Sequence, residues 1–417
     1  MLSISQRVKS LKPSVTVAFM NRAKAMKAQG LDVLSFAAGE PDFDTPSAIK
    51  ESAITSLRAG NTKYMPTLGD PASRGAIAKK LTEENGIPNC TPEHIAIGSG
   101  GKHSLFVALH VLLDEPKPGE ARQEVLLPVP AWVSYAPIAE LAGGKVVEIQ
   151  TSPDSGFKMT PDQLRKAITP NSRLLILNSP SNPCGTMYSP DELRAIGKVV
   201  AEASRTIAPD LTILSDEIYE KIVYGGIPHF SIGSIPEIAE RVITLNGLSK
   251  AYAMTGWRVG YTGASGAFGL EFTKGMATLQ GQMSTNITSF VYAAIPTALK
   301  ECAAEVEKMR DAFAARGTLI NKRLAAIPGV RPIPATGAFY AFPDVSRLFG
   351  KTTPAGKPLR SAMEFSEALL AEKLVAAVPG EDFGGCGGNH LRFSFACSED
   401  QINKGMDRLA DFVAGLK

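Results

Sequence analysis

The chain has 417 residues, of which 44% are hydrophobic and 20% charged, and its formal net charge at pH 7 is +3. This composition is typical of a globular protein with a large buried core, and the length predicts more than one lobe. Because Lys and Arg nearly balance Asp and Glu and form no long run, the sequence argues against nucleic-acid and membrane-surface binding and favours small-molecule partners.

The N-terminal segment and the cysteines predict a cytoplasmic protein. The segment MLSISQRVKSLKPSVTVAF lacks the continuous apolar core of a signal peptide, and no stretch approaches the roughly 18 apolar residues of a membrane span. The five cysteines show no C-x-x-C spacing, which argues against a zinc site or a disulfide framework. We therefore expect a reducing compartment and no bound metal.

Seven apolar runs of strand length alternate with helical patterns in the first three quarters of the chain. They are HIAIGSG, EVLLPVP, KVVEIQ, RLLILNSP, LTILSDEI, RVITLNGLS and WRVGYTG. This alternation predicts an α/β fold with a mostly parallel seven-stranded sheet between helices. Ligands of such sheets bind at the carboxyl ends of the strands, so the polar residues after each run are candidates for a site.

The first run ends in a glycine turn, GSGGK, at the start of a predicted helix. Lys102 is followed by His103, so neither the Walker A pattern nor G-x-G-x-x-G is present. Gly100, Gly101 and Lys102 still offer backbone N–H groups and the positive end of a helix dipole to an anion. A plain strand-to-helix turn is the alternative.

Two further strand ends carry side chains that suit a flat, polar ring. Trp132 in PVPAW can stack on such a ring, although it could equally pack against a helix start. Asn182 lies between Pro180 and Pro183, which restrict the turn and can hold the amide in one pose.

The run LTILSDEIY places Asp216 directly after a strand and Tyr219 three residues later, on the same side of a first helical turn. A buried carboxylate keeps the nitrogen of a pyridine ring protonated, and a phenol can bind the ring oxygen. Taken singly, Asp216 could be a helix N-cap and Tyr219 a core aromatic.

Three cationic residues complete the candidate site. Lys250 follows an apolar strand, and a lysine in a partly dry cleft has the lowered pKa that Schiff-base formation with an aldehyde cofactor requires. Arg258, eight residues later, can bind a phosphate, unless both residues lie in a solvated loop. Arg392 lies between Leu391 and Phe393 in a short strand, and its planar group suits a carboxylate.

An amine, a carboxylate, a phenol, a phosphate turn and a carboxylate clamp together indicate one cofactor, pyridoxal 5′-phosphate. The chain also resembles the class I aminotransferases of PLP fold type I along nearly its whole length. The resemblance lies in the motifs AAGEPDFDTP, TKYMPTLGDP, SPSNPCGTMY, SDEIYE, NGLSKAYAMTGWRVGY and HLRFSFACS. Within that family it is similar to the bacterial and plant aspartate aminotransferases of the branch that includes aspartate/prephenate aminotransferases.

The resemblance implies a role for each candidate that would meet the cofactor. Lys250 would bind it covalently and transfer protons, and Asp216 would pair with the ring nitrogen. Tyr219 and Asn182 would lie at the ring oxygen, and Trp132 would stack on the ring. The phosphate would be held by Arg258 and by the amides of Gly100, Gly101 and Lys102.

The resemblance also implies the substrate side of the site. Gly39 and Arg392 would bind the α-carboxylate, and Lys102 would bind the distal carboxylate of an acidic substrate. Lys12 and Thr16 match a segment that lines the substrate side in the same branch and is linked there to prephenate.

The family's architecture implies a homodimer in which Tyr64 reaches the phosphate of the neighbouring subunit. Residues 46–302 would form the large cofactor-binding domain. Residues 1–45 would form an N-terminal arm and part of a small α+β domain, which residues 303–417 would complete. The change of pattern after Ala303, to a long charged helix and then short strands in GAFYAFPDV and HLRFSFAC, agrees with this division.

The implied reaction is a ping-pong transfer of the amino group between L-aspartate or glutamate and a 2-oxo acid such as 2-oxoglutarate, with prephenate as a further acceptor. Transamination of aromatic or neutral amino acids, β-elimination on the same fold, and a catalytically idle PLP-binding module are the alternatives. Three positions depart from the family pattern, since Ala131, Cys184 and Gly247 replace a usual tyrosine, threonine and serine.

Overall fold

The protein is described by a computed structural model that covers residues 3–9, 11 and 15–417, with residues 15 and 16 described by their backbone alone. The chain begins with two helices and a short strand: α1 (Gln6–Lys9), α2 (Val15–Ala28) and β1 (Leu34–Ser35). Within the described ranges, no helix has both the length and the apolarity that crossing a membrane demands.

The seven strands predicted from the apolar runs form one sheet in the described part of the chain. They are β2 (Ile95–Gly98), β3 (Glu124–Val129), β4 (Lys145–Gln150), β5 (Ser172–Asn178), β6 (Thr212–Asp216), β7 (Val242–Gly247) and β8 (Gly260–Gly263). The order across the sheet is β2-β8-β7-β6-β5-β3-β4. All pairs are parallel except those of β8, which runs antiparallel to both β2 and β7. The expected mostly parallel sheet is therefore confirmed.

Helices cover both faces of this sheet, and for that reason several of its strands are buried along their whole length. Every residue of β2, β6, β7 and β8 is buried. The helices of this part are α3 (Ser47–Arg58), α4 (Pro71–Glu83), α5 (Gly101–Leu112), α6 (Tyr135–Leu141), α7 (Pro161–Ala167), α8 (Pro190–Ser204), α9 (Gly266–Gly281) and α10 (Ala294–Glu301).

A second layer of helices and short strands follows, as the change of pattern predicts. Its elements are α11 (Ala303–Ala325), β9 (Tyr340–Ala341), α12 (Ala362–Lys373), β10 (Val375–Ala376), β11 (Val378–Pro379), β12 (Leu391–Ser394) and α13 (Glu399–Ala414). Strands β11, β12 and β9 form an antiparallel sheet, and β1 pairs in parallel with β10. The N-terminal strand thus joins the C-terminal part of the chain.

The register of the large sheet brings the ends of three parallel strands to one edge. Asn178 at the end of β5 lies opposite Asp216 at the end of β6, and Asp216 lies opposite Leu245 of β7. Because these strands are parallel, the turns that follow them converge at the carboxyl edge of the sheet.

Candidate active site

A cleft of about 530 Å³ lies at this edge, between the large sheet and the strands of the second layer. Most residues predicted from the strand ends line it, although they are spread over more than 350 positions of the chain. Those that do are Gly39, Gly101, Lys102, Trp132, Asn182, Asp216, Tyr219, Lys250, Arg258 and Arg392.

Asp216 is a buried carboxylate held on both oxygens. The Tyr135 hydroxyl donates a hydrogen bond of 2.7 Å to Oδ2, and the Ile218 backbone N–H donates one of 3.1 Å to Oδ1. Burial raises the pKa of Asp216 to about 6, against the hydrogen bond from Tyr135, which lowers it. Its environment orients the carboxylate and leaves it ready to share a proton with a cationic ring nitrogen.

Lys250 follows β7 and turns its amine into the cleft, where it donates a hydrogen bond to the Gly39 carbonyl. Burial, together with the nearby charges of Arg392 and Arg258, lowers the pKa of Lys250 to about 8, while the charges of Glu40 and Asp216 oppose this shift. An amine with this pKa is partly neutral near pH 7, as condensation with a carbonyl group requires.

The glycine turn forms a cradle for an anion together with Arg258. Helix α5 begins at Gly101, and Gly100 before it has a φ of 91°, which favours glycine. A Cβ at Gly100 would overlap the Arg258 guanidinium. Arg258 itself has a φ of 59°, an uncommon conformation for a residue with a side chain. The backbone N–H groups of the helix start and the guanidinium therefore face the same small space.

Arg392 is 4% exposed and lies where two parts of the chain meet. Its Nη1 donates 2.9 Å to Asn182 Oδ1, and its Nη2 donates 2.9 Å to the Ala37 carbonyl. In the described part of the chain its Nε has no hydrogen-bond partner. A buried guanidinium without a carboxylate partner favours binding of an anionic ligand in the cleft.

The tyrosine pair Tyr219 and Tyr340 lies beside this arginine. Their hydroxyl oxygens are 2.9 Å apart, and Tyr219 is 4% exposed. A Cβ at Gly39 would lie 2.7 Å from the Tyr340 hydroxyl, so a larger residue there would displace the tyrosine. Gly39 thus allows the Tyr340 hydroxyl to approach the backbone closely at this position.

Lys102 and Trp132 lie together in the lining of the cleft. The Lys102 amine is 5.0 Å from the centroid of the Trp132 ring, and the ring of Tyr135 meets Trp132 edge to face at 5.3 Å. Partial burial and the charge of Arg258 lower the pKa of Lys102. The cleft therefore contains a lysine cation in addition to Arg392.

Of the predicted residues that the structure describes, Gly100 and Tyr64 are not among those that line the cleft. Gly100 directly precedes the lining residue Gly101, and Tyr64 is 89% exposed on the surface. Lys12 lies outside the described residues, and the side chain of Thr16 is not described. Conversely, Tyr135 and Tyr340 were not predicted for the site, although Tyr135 lies three residues after the motif PVPAW and Tyr340 lies within GAFYAFPDV.

The departures from the family pattern have structural explanations. A Cβ at Gly247 would lie 2.7 Å from the Val259 carbonyl oxygen, because β7 and β8 approach closely there, so a serine would not fit. Ala131 is buried beside a cavity of about 30 Å³, which has room for about one water molecule. Cys184 is buried, and burial raises the pKa of its thiol well above the usual value.

Comparison with known proteins places this site in a family. The family model for class I and II aminotransferases matches residues 31–409. The chain is 41% identical over 412 residues to an aspartate aminotransferase of Bacillus sp. (strain YM-2), covering 98% of this chain and 99% of that protein. The chain belongs to the class I and II aminotransferases. This aminotransferase is also 40% identical over 413 residues to an aspartate/prephenate aminotransferase of Thermus thermophilus, covering 98% of each.

Solved structures agree with the assignment of this aminotransferase. The aspartate aminotransferase from Rhizobium meliloti matches with a TM-score of 0.92 and 36% identity, over 100% of both chains. The Thermus thermophilus enzyme with maleate matches with a TM-score of 0.88 and 38% identity, over 99% of this chain and 100% of that one. The expected fold of the type I PLP enzymes is confirmed.

Aspartate aminotransferases of this family depend on pyridoxal phosphate, and the residues of the cleft fit that group. A Cβ at Gly100 would overlap the Arg258 guanidinium, so the guanidinium lies directly against the glycine turn at which a phosphate would be bound. The donor set agrees, since a carboxylate, a phenol and an amine of lowered pKa line the same cleft. The cofactor predicted from the sequence is thereby supported by the family and by the site.

Proposed function

We propose that this protein is an aspartate aminotransferase that moves the amino group between L-aspartate or glutamate and a 2-oxo acid such as 2-oxoglutarate. The observation that carries the proposal is that one cleft is lined by two cations outside the phosphate cradle, Arg392 and Lys102, together with the Lys250 amine. Two cations suit a substrate with two carboxylates.

Cofactor binding follows from the contacts of the site. Arg258 and the N-terminal amides of α5 bind the phosphate, and Asp216, oriented by Tyr135, keeps the ring nitrogen protonated. Tyr219 and Asn182 bind the ring oxygen, and Trp132 covers the ring face. When bound, pyridoxal phosphate supplies an aldehyde for covalent attachment of amines and a ring that withdraws electrons.

Lys250 has the proton-transfer role. Its Nζ is partly neutral at physiological pH because burial lowers its pKa to about 8, so it can take the Cα proton of a bound amino acid as a general base. Protonated Nζ would then donate this proton, as a general acid, to the C4′ atom of the bound cofactor, and the reverse half-reaction would use the same two steps in the opposite order. The Gly39 carbonyl accepts a hydrogen bond from this amine and orients it.

Substrate recognition divides between the two cations. Arg392, fixed by Asn182 and the Ala37 carbonyl, binds the α-carboxylate, while Lys102 binds the distal carboxylate. The names of the relatives support an acidic substrate, and the related Thermus thermophilus structure contains maleate, itself a dicarboxylate. Gly39, which lines the same cleft, would lie beside the α-carboxylate.

Prephenate is a second candidate acceptor, favoured by the apolar wall next to Lys102. This wall contains Leu11, Val17, Met20, Val133 and Ile138. A ring that carries a carboxylate would place its carbon atoms against these side chains and its charge at Lys102. Several relatives are named aspartate/prephenate aminotransferases, which agrees with this second use.

The proposal includes a homodimer with shared sites. Tyr64 is exposed, and nearby apolar side chains of α3, Ile54 and Leu57, are exposed as well. Such a surface suits an isologous contact, across which Tyr64 would reach the phosphate of the second subunit. The division into a large domain, residues 46–302, and a small domain of 1–45 and 303–417 belongs to the same proposal.

The dimer can be tested by mixing two inactive variants, Tyr64→Phe and Lys250→Ala. If the sites are shared, a mixed dimer contains one site with both changes and one with neither, so activity returns on mixing. Mixing that restores no activity, under conditions in which mass spectrometry shows subunit exchange, would contradict shared sites.

The reaction can be tested by absorbance of the cofactor-loaded protein. L-Aspartate should remove the visible absorbance of the bound cofactor, and 2-oxoglutarate or prephenate should restore it. Lys102→Met, with Lys79→Met on the outer face of α4 as control, should raise the KM for aspartate and leave that for phenylalanine nearly unchanged. A spectrum that does not respond to aspartate, or release of ammonia and pyruvate from cysteine-like substrates, would overturn the proposal in favour of another donor or of elimination.

A further inference from the structure

A cluster of buried ionisable side chains lies behind the turn that follows β6. Its members are Lys80 and Asn85 at the end of α4, Glu217 and Glu220 in the turn, and His229. The residues of this cluster are largely or fully buried, and none lines the cleft among the described residues. Burying several charges costs free energy, so such a cluster calls for an explanation beyond stability.

Glu217 is 1% exposed and has all its hydrogen-bonding capacity in use. Ser215 and Ser231 donate to its Oε1 at 2.9 and 2.8 Å. Asn85 Nδ2 and His229 Nε2 each lie 3.1 Å from its Oε2. Four partners from three separate segments of the chain therefore meet on one carboxylate.

Glu220 forms the second half of the cluster. It makes an ion pair with Lys80 and accepts a hydrogen bond of 2.8 Å from Asn85 Nδ2. Lys80 also donates 2.6 Å to Asn85 Oδ1. Although burial raises it, the charges of Lys80 and His229 lower the pKa of Glu220 to about 2.

The charges of the cluster balance. Burial lowers the pKa of His229, but its hydrogen bond to Glu217 and the charges of Glu217 and Glu220 raise it above the ordinary value overall, against the opposing charge of Lys80. A protonated His229 and Lys80 then match the two carboxylates. Glu217, Glu220 and His229 lie close enough together to hold a metal ion, but the Lys80 ammonium already fills the cation position.

The side chains of this turn enter the cleft and the cluster alternately. Asp216 and Tyr219 line the cleft, whereas Glu217 and Glu220, each the next residue along, enter the cluster. The Glu217 N–H donates to the Leu245 carbonyl and the Glu220 N–H to the Glu217 carbonyl, both at 2.9 Å. A shift of either glutamate would therefore move the backbone that carries Asp216 and Tyr219.

We propose that the buried cluster of Lys80, Asn85, Glu217, Glu220 and His229 fixes the conformation of the turn, so that Asp216 and Tyr219 are correctly positioned for contact with the cofactor ring. Glu217 and Glu220 are positioning residues, because they act through their neighbours and touch neither cofactor nor substrate. This inference rests on the proposed function, since it assigns a purpose to the placement of Asp216 and Tyr219.

The chain offers a matched control for testing it. Lys221 and Glu84 form an ion pair between the same two segments, the turn and the end of α4, but their side chains are 33% and 43% exposed. Those of Lys80 and Glu220 are 3% and 8% exposed. Glu84→Gln therefore breaks an ion pair between these segments without leaving a charge buried.

The test compares Lys80→Met, Glu217→Gln and the double variant Lys80→Met with Glu220→Gln against Glu84→Gln. We expect Lys80→Met and Glu217→Gln to weaken cofactor binding and kcat by about 10- to 100-fold, as expected for misplaced groups. The KM for aspartate should change by less than about 3-fold, because Arg392 and Lys102 do not touch the cluster. The visible circular dichroism of the bound cofactor should change, and the double variant, whose charges balance again, should recover most of the loss.

Two outcomes would overturn the proposal: wild-type cofactor affinity and dichroism in folded Lys80→Met and Glu217→Gln, or a double variant that remains as impaired as Lys80→Met. If Lys80→Met does not fold, Glu217→Gln and the double variant decide the question. Hydrogen exchange of the Glu217 and Glu220 amides in the cofactor-free protein tests the cluster even if the proposed reaction is wrong. Exchange of these amides should be at least about 10-fold faster in Glu217→Gln than in the wild type and unchanged in Glu84→Gln. Equal exchange rates in Glu217→Gln and the wild type would refute the proposal that the buried cluster holds the turn.

Discussion

The lowered pKa of Lys250 gives a quantitative prediction for the cofactor-free protein. At pH 7 an amine with a pKa of about 8 is neutral in about a tenth of the molecules, against about one in 2,500 for an ordinary lysine. Lys250 should therefore present roughly 200-fold more neutral amine than an exposed lysine does.

The same shift has a cost in stability with a definite sign. Below pH 8 the folded and the unfolded chain both hold the Lys250 proton, and the buried ammonium costs the fold about 3 kcal/mol. Between about pH 8 and 10.4 the unfolded chain binds more protons than the folded one, so the free energy of unfolding gains this amount as pH rises.

Competitive labelling with trace acetic anhydride between pH 6 and 11, read by mass spectrometry, measures the midpoint for Lys250, with exposed Lys63 in the same sample as reference. Two variants of opposite sign probe the cause. Glu40→Gln should lower the midpoint and Arg392→Gln should raise it, since these charges act on Lys250 in opposite directions. A wild-type midpoint near 10, or shifts of the same sign in both variants, would refute the reasoning.

Three further predictions concern other residues. Tyr135→Phe removes the hydrogen bond to Asp216 and should lower kcat by about 10- to 150-fold at nearly constant KM, because a bond to a charged group is worth about 1.5–3 kcal/mol. Steady-state kinetics checks this, and an unchanged kcat would contradict it. Gly100→Ala should weaken cofactor binding at least about 10-fold by titration, whereas Gly75→Ala, with nothing within 4 Å, should not. Burial lowers the pKa of His390, so as pH falls below about 6.5 the unfolded chain binds a proton before the folded chain does, and the free energy of unfolding decreases. Replacing His390 by Phe should make this decrease with falling pH smaller by up to about 1.4 kcal/mol per pH unit, as measured by urea unfolding. An unchanged pH slope would exclude this role of His390.

The large sheet and the edge at which the cleft lies were predictable because the information is local. Each strand is a short apolar run followed by polar residues, and parallel strands place those residues at one edge. Asp216, Lys250 and the Gly100 turn were predicted in this way as candidate site residues, from the sequence alone. The predicted strands after Ala303, at Tyr340 and Leu391, also formed where the pattern changes.

The contacts that set the chemistry were not readable from the sequence. Arg392 meets Asn182 across 210 positions, and Lys80 meets Glu220 across 140. Nothing near Lys80 in the sequence distinguishes it from Lys79, the exposed lysine beside it on the same helix.

The division has a physical cause. Periodicity and turn chemistry depend on neighbouring residues, so the amino-acid sequence alone determined the elements, the strand ends and the kinds of side chain at the site. The pKa of Lys250, the two hydrogen bonds on Asp216 and the buried cluster behind it depend on which distant surfaces pack together and how much water they exclude. Only the tertiary structure decided those, because burial and charge pairing arise from the packing of segments that lie far apart in the chain.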